Sequence, residues 1–483
     1  LKKLLCILTT VLIYTNSWAQ LPTIVWSYTY SDGASINCIK QTSDAGYILA
    51  GSSLGKYWVA KYTGGGILQW EKTYGGTGGD VAKSIIQTTD GGYILAGNSM
   101  SNNGDVIGNH GSVDYWIVKI SSIGVLQWQK TLGGSNGDFA SEIQQTTDGG
   151  YIVFGNSTSN NGDVTENHGG SDYWIVKISS TGVLQWQKTL GGSSDDLANS
   201  IKQTVDGGYI LSGSSASNDG DVTENHGSYD YWIVKLSTIG TIQWQKTFGG
   251  KDIDNGNQIQ ITSDGGYIVA GKTNSNDGDV TGTVNSFYRF WMVKFSNIGV
   301  LQWQRTYSST NINCSALNIL QTADDGYIVG GNYGGNGRIL KLSTSGNLEL
   351  EWEDAYRCPL VSIQQTSDDG YISVFKSGIY NFLKKRKLQA LSINTFKSQG
   401  LKIYPNPVAC DIYISTTNNR LLNKIQITDL SGKVIIEKNQ LESKERTEEG
   451  NINQINVEEL PYGVYIIEAF SGQEKFVSKF VKN

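Results

Sequence analysis

The chain has 483 residues, with 59 glycines, 5 prolines, 26 tyrosines, 13 tryptophans and a formal net charge of −6. A mildly acidic surface excludes nucleic acid and anionic membrane as expected partners. Abundant Gly, Tyr, Trp and Thr with few helix-favouring stretches predict an all-β protein.

Lys2 and Lys3 precede an apolar run from Leu4 to Tyr14, and Ser17-Trp18-Ala19 supplies small residues at a cleavage position before Gln20. This order predicts a secretory signal peptide over 1–19. The apolar run is too short for a bilayer span, and no other stretch is long enough, so no transmembrane segment is expected after signal removal. Removal takes away two lysines and no acid, which leaves the rest more acidic still. Cys38, Cys314, Cys358 and Cys410 then remain, without metal-binding spacing. Cys314 and Cys358 occupy equivalent places before the turn aspartates Asp324 and Asp368. An oxidising compartment permits a disulfide between them if their Cα atoms approach within about 7 Å.

From Gln20 to Lys387 the chain repeats itself. Each copy holds an Asp-x-Gly-Tyr turn, a strand ending in Lys, and an anchor tryptophan. The turn tyrosines are Tyr47, Tyr93, Tyr151, Tyr209, Tyr267, Tyr327 and Tyr371, and the tryptophans are Trp26, Trp70, Trp128, Trp186, Trp244, Trp303 and Trp352. In one template copy, strands are expected at 141–146, 151–157, 173–178 and 183–190, with a long polar loop before Asp172. Four short antiparallel strands per copy is the pattern of a propeller blade. The last glycine before each Tyr is present in every copy (Gly46, Gly92, Gly150, Gly208, Gly266, Gly326 and Gly370), so a positive φ is expected there. The aspartates of these turns read as structural, folding back on the backbone. The first tryptophan strand, Thr23 to Tyr30, precedes any turn, and the last copy ends near Lys384 without one. The N-terminal strand is therefore expected to complete blade seven and close the ring, which removes the open edges. The expected fold over 20–387 is a seven-bladed β-propeller.

The run KISSTGVLQWQ resembles the Trp-docked blades of quinoprotein-type propellers, with a turn glycine four residues before the Trp. The small-x-Asp start of that pattern is replaced by Lys177-Ile178-Ser179, so the resemblance implies the fold and not the quinone. The tryptophans are expected to pack between blades. The basic run Lys384 to Lys387 reads as a solvated strand end, and 388–400 as a polar linker.

The repeats stop near Gly400. Alternating apolar strands over 401–483 predict a small β-sandwich. Its motifs are Tyr404-Pro405-Asn406-Pro407, Asp429 to Lys433 with Gly432, and Leu460-Pro461-Tyr462-Gly463-Val464-Tyr465. In that order they resemble the C-terminal sorting domain of the type IX secretion system. The resemblance implies export across the outer membrane of a Gram-negative bacterium. It also implies two partners: the type IX machinery, and a surface sortase that removes the domain and releases the propeller or attaches it to the cell surface.

The three histidines, His110, His168 and His226, fall at one place in three successive copies, within NHG. A catalytic His is singular and zinc needs converging ligands, so neither role is expected. No HExxH, GxSxG or phosphate-cradling motif occurs, and no catalytic residue is assigned. The loops around these histidines are rich in oxygen ligands: Asp105, Asn109 and Asp114; Asp163, Asn167 and Asp172; Asp221, Asn225 and Asp230. Such sets suit Ca²⁺ and equally suit loops braced by Asx turns. Long loops before Asp114, Asp172, Asp230 and Phe290 in blades two to five, beside short ones in blades six, seven and one, predict a raised crescent next to a low notch. Tyr229, Tyr288 and the three histidines lie on that crescent. The expected function is an exported cell-surface binding or adhesion propeller for a glycan or surface protein. The alternatives are a polysaccharide hydrolase, which needs paired carboxylates facing the central funnel, or a purely structural surface protein.

Overall fold

The structure is a computed structural model. It describes residues 22–30, 33–281, 287–308, 312–353, 358–378 and 380–387, and in the tail 401–406, 408–416, 420–429, 434–439, 445–447, 450–461, 463–472 and 474–482. The signal peptide and the linker expected at 1–19 and 388–400 lie outside the described residues. The chain divides into two compact units, one of them Leu21–Leu388.

That unit is seven four-stranded antiparallel sheets. Six are consecutive meanders, over 35–74, 80–132, 138–190, 196–248, 254–307 and 314–353. The seventh is built from both ends of the propeller. Thr23–Tyr30 pairs with Tyr380–Lys387, from Thr23 opposite Lys387 to Tyr30 opposite Asn381. Ring closure by the N-terminal strand is therefore as expected. In the template blade, the first strand starts earlier than read, at Asp138–Gln145, and carries a bulge between Ala140 and Glu142. The Asp138 carboxylate is anchored in the preceding corner, which extends the strand toward it.

The turns hold one hydrogen-bond network per blade, a half-exposed aspartate bonded to a buried lysine. In blade three, Asp148 Oδ1 accepts from Thr146 Oγ1 at 2.5 Å and from the Gly150 N–H at 3.0 Å. Lys177, 4 % exposed, reaches the same carboxylate at 2.9 Å and donates to Gln185 Oε1. The glycine expectation needs correction. Positive φ falls one position earlier, at Gly149 (82°) and at Ala45, Asp325 and Asp369 (59° each). Gly150 is glycine because a Cβ would lie 2.5 Å from both Ile178 O and Lys177 Nζ. Close approach, not backbone handedness, makes that position uniform. The solvated reading of 384–387 holds for Lys387, which is exposed, but is corrected for Lys384 and Lys385. Lys385 is 3 % exposed and bonded to Asp368 at 2.5 Å, as the repeat's buried lysine. Lys384 is buried as well, with its Nζ 5.4 Å from the Phe375 ring centroid.

The two markers of the repeat turn out to be one contact between blades. Trp128 packs on Tyr151 of the next blade at 6.1 Å, Trp186 on Tyr209 at 5.9 Å, and Trp26 on Tyr47 at 5.7 Å. Trp26, Trp70, Trp128, Trp186, Trp244 and Trp303 also cover a turn glycine of the next blade: a Cβ on Gly182 would sit 3.0 Å from the Trp128 ring. A second ladder lies deeper. Tyr115 donates its hydroxyl to Trp174 O at 3.1 Å with ring centroids 4.4 Å apart, and Tyr57–Trp116, Tyr173–Trp232 and Tyr231–Trp291 repeat the arrangement. Cys314 and Cys358 are buried in different inter-blade clusters and no disulfide joins them.

The tail is two four-stranded sheets. Leu401–Tyr404, Asp411–Thr416, Gly450–Asn456 and Glu445–Thr447 form one; Val434–Asn439, Lys424–Thr428, Gly463–Ser471 and Glu474–Lys482 form the other. Ile412, Ile414, Ile425, Ile427, Ile455 and Ile467, all fully buried, fill one shared cluster with Phe480. The period-two alternation of these strands places their isoleucines on the inner faces.

Candidate functional site

In a meander, the second-to-third and fourth-to-first connections share a face. In blades two to five the second-to-third connections run from Ser99 to Asp114, Ser157 to Asp172, Ser215 to Asp230 and Thr273 to Arg289. The corresponding strands of blades one, six and seven are only a few residues apart, at Ser53–Lys56, Tyr333–Asn336 and Ser377–Tyr380. The crescent of long loops is therefore present, apart from 282–286, which are not described.

Each long loop hangs on a buried aspartate that opens the first strand of its blade. Asp138 is fully buried and accepts from the Gly134 N–H at 2.8 Å, from Ser159 Oγ at 2.9 Å and from Ser157 Oγ. Asp80, Asp196 and Asp254 repeat the place, also fully buried, whereas blades one, six and seven have Ala34, Cys314 and Cys358 there. The aspartate and the long loop thus come and go together. Sequence reading missed this, although the aligned position was a readable signal.

The candidate calcium ligands are bonded within the loops themselves, apart from one buried oxygen each of Asp114, Asp172 and Asp230. Asp105 accepts from the Gly75 N–H at 3.0 Å, Asp163 from Gly133 at 3.2 Å and Asp221 from Gly191 at 3.3 Å. Asn109, Asn167 and Asn225 donate to Ser99 O, Ser157 O and Ser215 O, and accept from the N–H two residues on. Asp114, Asp172 and Asp230 accept from the backbone and the ring Nδ1 of His110, His168 and His226 at 2.6–2.9 Å. Among the described residues no three His, Cys, Asp or Glu side chains group as a metal set. The histidines leave their outer edges exposed. Tyr229 is half-buried, its hydroxyl 3.5 Å from Asp195, and Lys272 lies over the Tyr288 ring at 4.3 Å.

Two sets of carboxylates are shifted in opposite senses. Burial raises Asp196 and Asp254 to about 6, against hydrogen bonds that lower them. The turn aspartates Asp44, Asp90, Asp148, Asp206, Asp264 and Asp368 fall to about 2: burial acts to raise them, but hydrogen bonds from the turn and the buried lysine outweigh it. A raised carboxyl contributes stability below its unfolded value of 3.8, and that contribution is lost as pH rises through about 6. A lowered one contributes above 3.8 and loses its contribution as pH falls toward 2. The urea midpoint should therefore be highest near pH 4–5 and decline toward pH 7. Asp196→Asn with Asp254→Asn should flatten that decline; a midpoint rising from pH 4.5 to 7 in the unaltered chain would contradict this account.

The central channel is lined by the first strands of all seven blades. Glu142 is the one carboxylate among its lining residues, bonded to Lys202 at 2.5 Å. The paired acids that a hydrolase reading asks for are not found among the described lining residues.

In the tail, Pro405 and Asn406 form an exposed bend after Leu401–Tyr404. Leu460 sits in the core, and Tyr465 turns back so that its hydroxyl donates to Pro461 O at 2.8 Å while its ring stacks on Phe480 at 5.6 Å. Gly463 opens the strand between them. Pro407, Gly432 and Lys433 lie outside the described residues. Residues 402–483 match the family described as the secretion system C-terminal sorting domain. The tail is a type IX sorting domain.

A sorting domain at this place marks the chain for export by the type IX machinery. No curated protein matches the chain. Solved structures similar to the chain include the following three. One is a protein of unknown function from Bacteroides caccae, at 11 % identity and TM-score 0.40, covering 65 % of this chain and 95 % of that one. The WD40 domain of Neurospora crassa Pan2 aligns at 12 % and 0.49, covering 75 % and 95 %. YCF48 bound to D1 peptide aligns at 12 % and 0.41, covering 77 % and 99 %. No described helix is long and apolar enough to cross a membrane.

Proposed function

We propose that the chain is a cell-surface binding module whose propeller captures a glycan or surface protein on its long-loop face. The supporting observation is the crescent itself. Four long polar loops stand side by side; each is held by a buried aspartate, and those of blades two to four also by asparagine and histidine braces. A pre-ordered loop loses little freedom on binding, so its polar groups contribute fully to affinity. Tyr229, Tyr288, His110, His168 and His226 are the contacts this reading assigns. The sorting domain, 401–483, is removed at the surface by the sortase, and the propeller remains attached or is released.

Transplanting the blade-one loop (Ser53 to Lys56) into blades two, three and four tests this. Each transplant carries Ala at Asp80, Asp138 or Asp196, to match Ala34, because these carboxylates lose their partners with the loop. The variant should keep its thermal midpoint within a few degrees and lose retention on an immobilised glycan panel and on intact cells. Retention equal to that of the unaltered protein would move the binding site off the crescent.

A further inference from the structure

The inner strands place three residues per blade in the channel: the seventh, sixth and fourth before each turn aspartate. The bulge in each first strand is what turns the seventh and sixth inward together. Most of these residues are amides and hydroxyls. Asn37, Asn199 and Asn257 each line the channel and donate to a carbonyl of the next blade. Asn318 Oδ1 is buried there with no protein partner.

The charges are few. Lys83 stands in the first tier, Glu142 in the second, and Lys40 and Lys202 in the third. Glu142 neutralises Lys202. Burial acts to raise the Glu142 carboxyl, but Lys202, the Ile201 N–H and the field of Lys40 pull it below the usual range, so it stays ionised. Lys40 and Lys83 have no carboxylate within ion-pair distance among the described residues. An otherwise acidic protein therefore places two unmatched lysines, Lys40 half-buried and Lys83 exposed, around one open channel of about 380 Å³ lined mostly by amides and hydroxyls. A cleft lined by a net excess of one charge focuses that field. Leu317, Leu320 and Val361 give the channel one apolar wall opposite the polar ones.

We propose that the central channel is a second binding site, separate from the crescent, for the anionic end of a saccharide. Lys40 and Lys83 receive the carboxylate or sulfate, the asparagines and glutamines pair with hydroxyls, and the apolar wall takes the carbon face of a sugar ring. The volume lies at the small end of ligand pockets and suits one or two sugar units. The shared chemistry is an oxyanion on a polyhydroxylated ring, and uronates and sulfated sugars both carry it.

Calorimetry of the purified full chain decides the matter. The probes are digalacturonate, a sulfated disaccharide, the matching neutral disaccharide, and inorganic phosphate. One of the two anionic sugars should bind, and the neutral sugar at least about tenfold more weakly. Lys40→Gln and Lys83→Asn place at each position a residue that other blades already carry there (Gln144, Gln260, Gln364; Asn37, Asn199, Asn257), so folding should be unaffected. Each should raise Kd about tenfold, for one charge-assisted hydrogen bond lost. Added salt should weaken the wild-type interaction. Three results would overturn the proposal: no anionic sugar binding, unchanged affinity in the double variant, or phosphate binding as tightly as the sugars. The loop-transplanted protein should still bind the channel probe, which separates failure here from failure of the crescent.

Discussion

Trp174→Ala should destabilise the propeller by about 3–5 kcal/mol, the usual loss for a large core aromatic. Trp174 is fully buried in the cluster between blades two and three, with Ile94, Ala96, Ile117 and Ile143 around it. Its Nε1 donates to Gln187 Oε1 at 2.9 Å, and Tyr115 packs against its ring at a 48° tilt and donates its hydroxyl to the Trp174 carbonyl. Truncation leaves a cavity at a junction whose neighbours are close-packed strands, which relax little. Trp128→Ala is the contrast. That ring is half-buried at the outer edge, on Tyr151 and Gly182, and its loss should cost about 1–2 kcal/mol for the smaller apolar area removed from contact. Urea unfolding of both variants measures the difference. Equal losses would mean that the outer tryptophan, not the deeper ladder, holds the blades together.

A chain lacking 22–30 should fail to give a monomeric propeller. Tyr380–Lys387 would then be an open edge, its outward backbone groups unpaired along the whole strand. The same deletion removes Trp26 from Tyr47 and from its bond to Gly64 O, and Tyr30 from Glu71. Blade one thus loses its neighbour as blade seven loses its fourth strand. Size-exclusion chromatography should show aggregate, and a synthetic peptide of residues 20–31 added during refolding should restore monomer. Monomeric, cooperatively unfolding protein without the strand would refute closure as a requirement.

The ring, its closing strand and the tail could be read from sequence because each rests on a local mark. Seven Asp-x-Gly-Tyr turns count the blades, the orphan strand at Thr23–Tyr30 finds its place by subtraction, and YPNP with LPYGVY marks the tail. The handedness assigned to Gly150 was not right, because a repeated glycine does not say whether it serves φ or space. The brace at Asp138 went unread because its meaning lies in a correlation with loop length across blades. The channel was out of reach for a different reason. Lys40, Lys83, Glu142 and Lys202 are each departures from the repeat, on four different blades, and only the closed circle brings them to one axis.

That closed circle also sets a timetable. The strand at Thr23–Tyr30 is made first and reaches its partner only after the rest of the propeller has been made. Closing so long a loop is entropically slow, while each meander can form from neighbours alone. The six consecutive blades therefore assemble locally, and the ring locks in one late, non-local step. Until then both the leading strand and its future partner expose pairing edges. The slowest and most aggregation-prone moment of the chain's life falls between synthesis of the last blade and capture of the first strand.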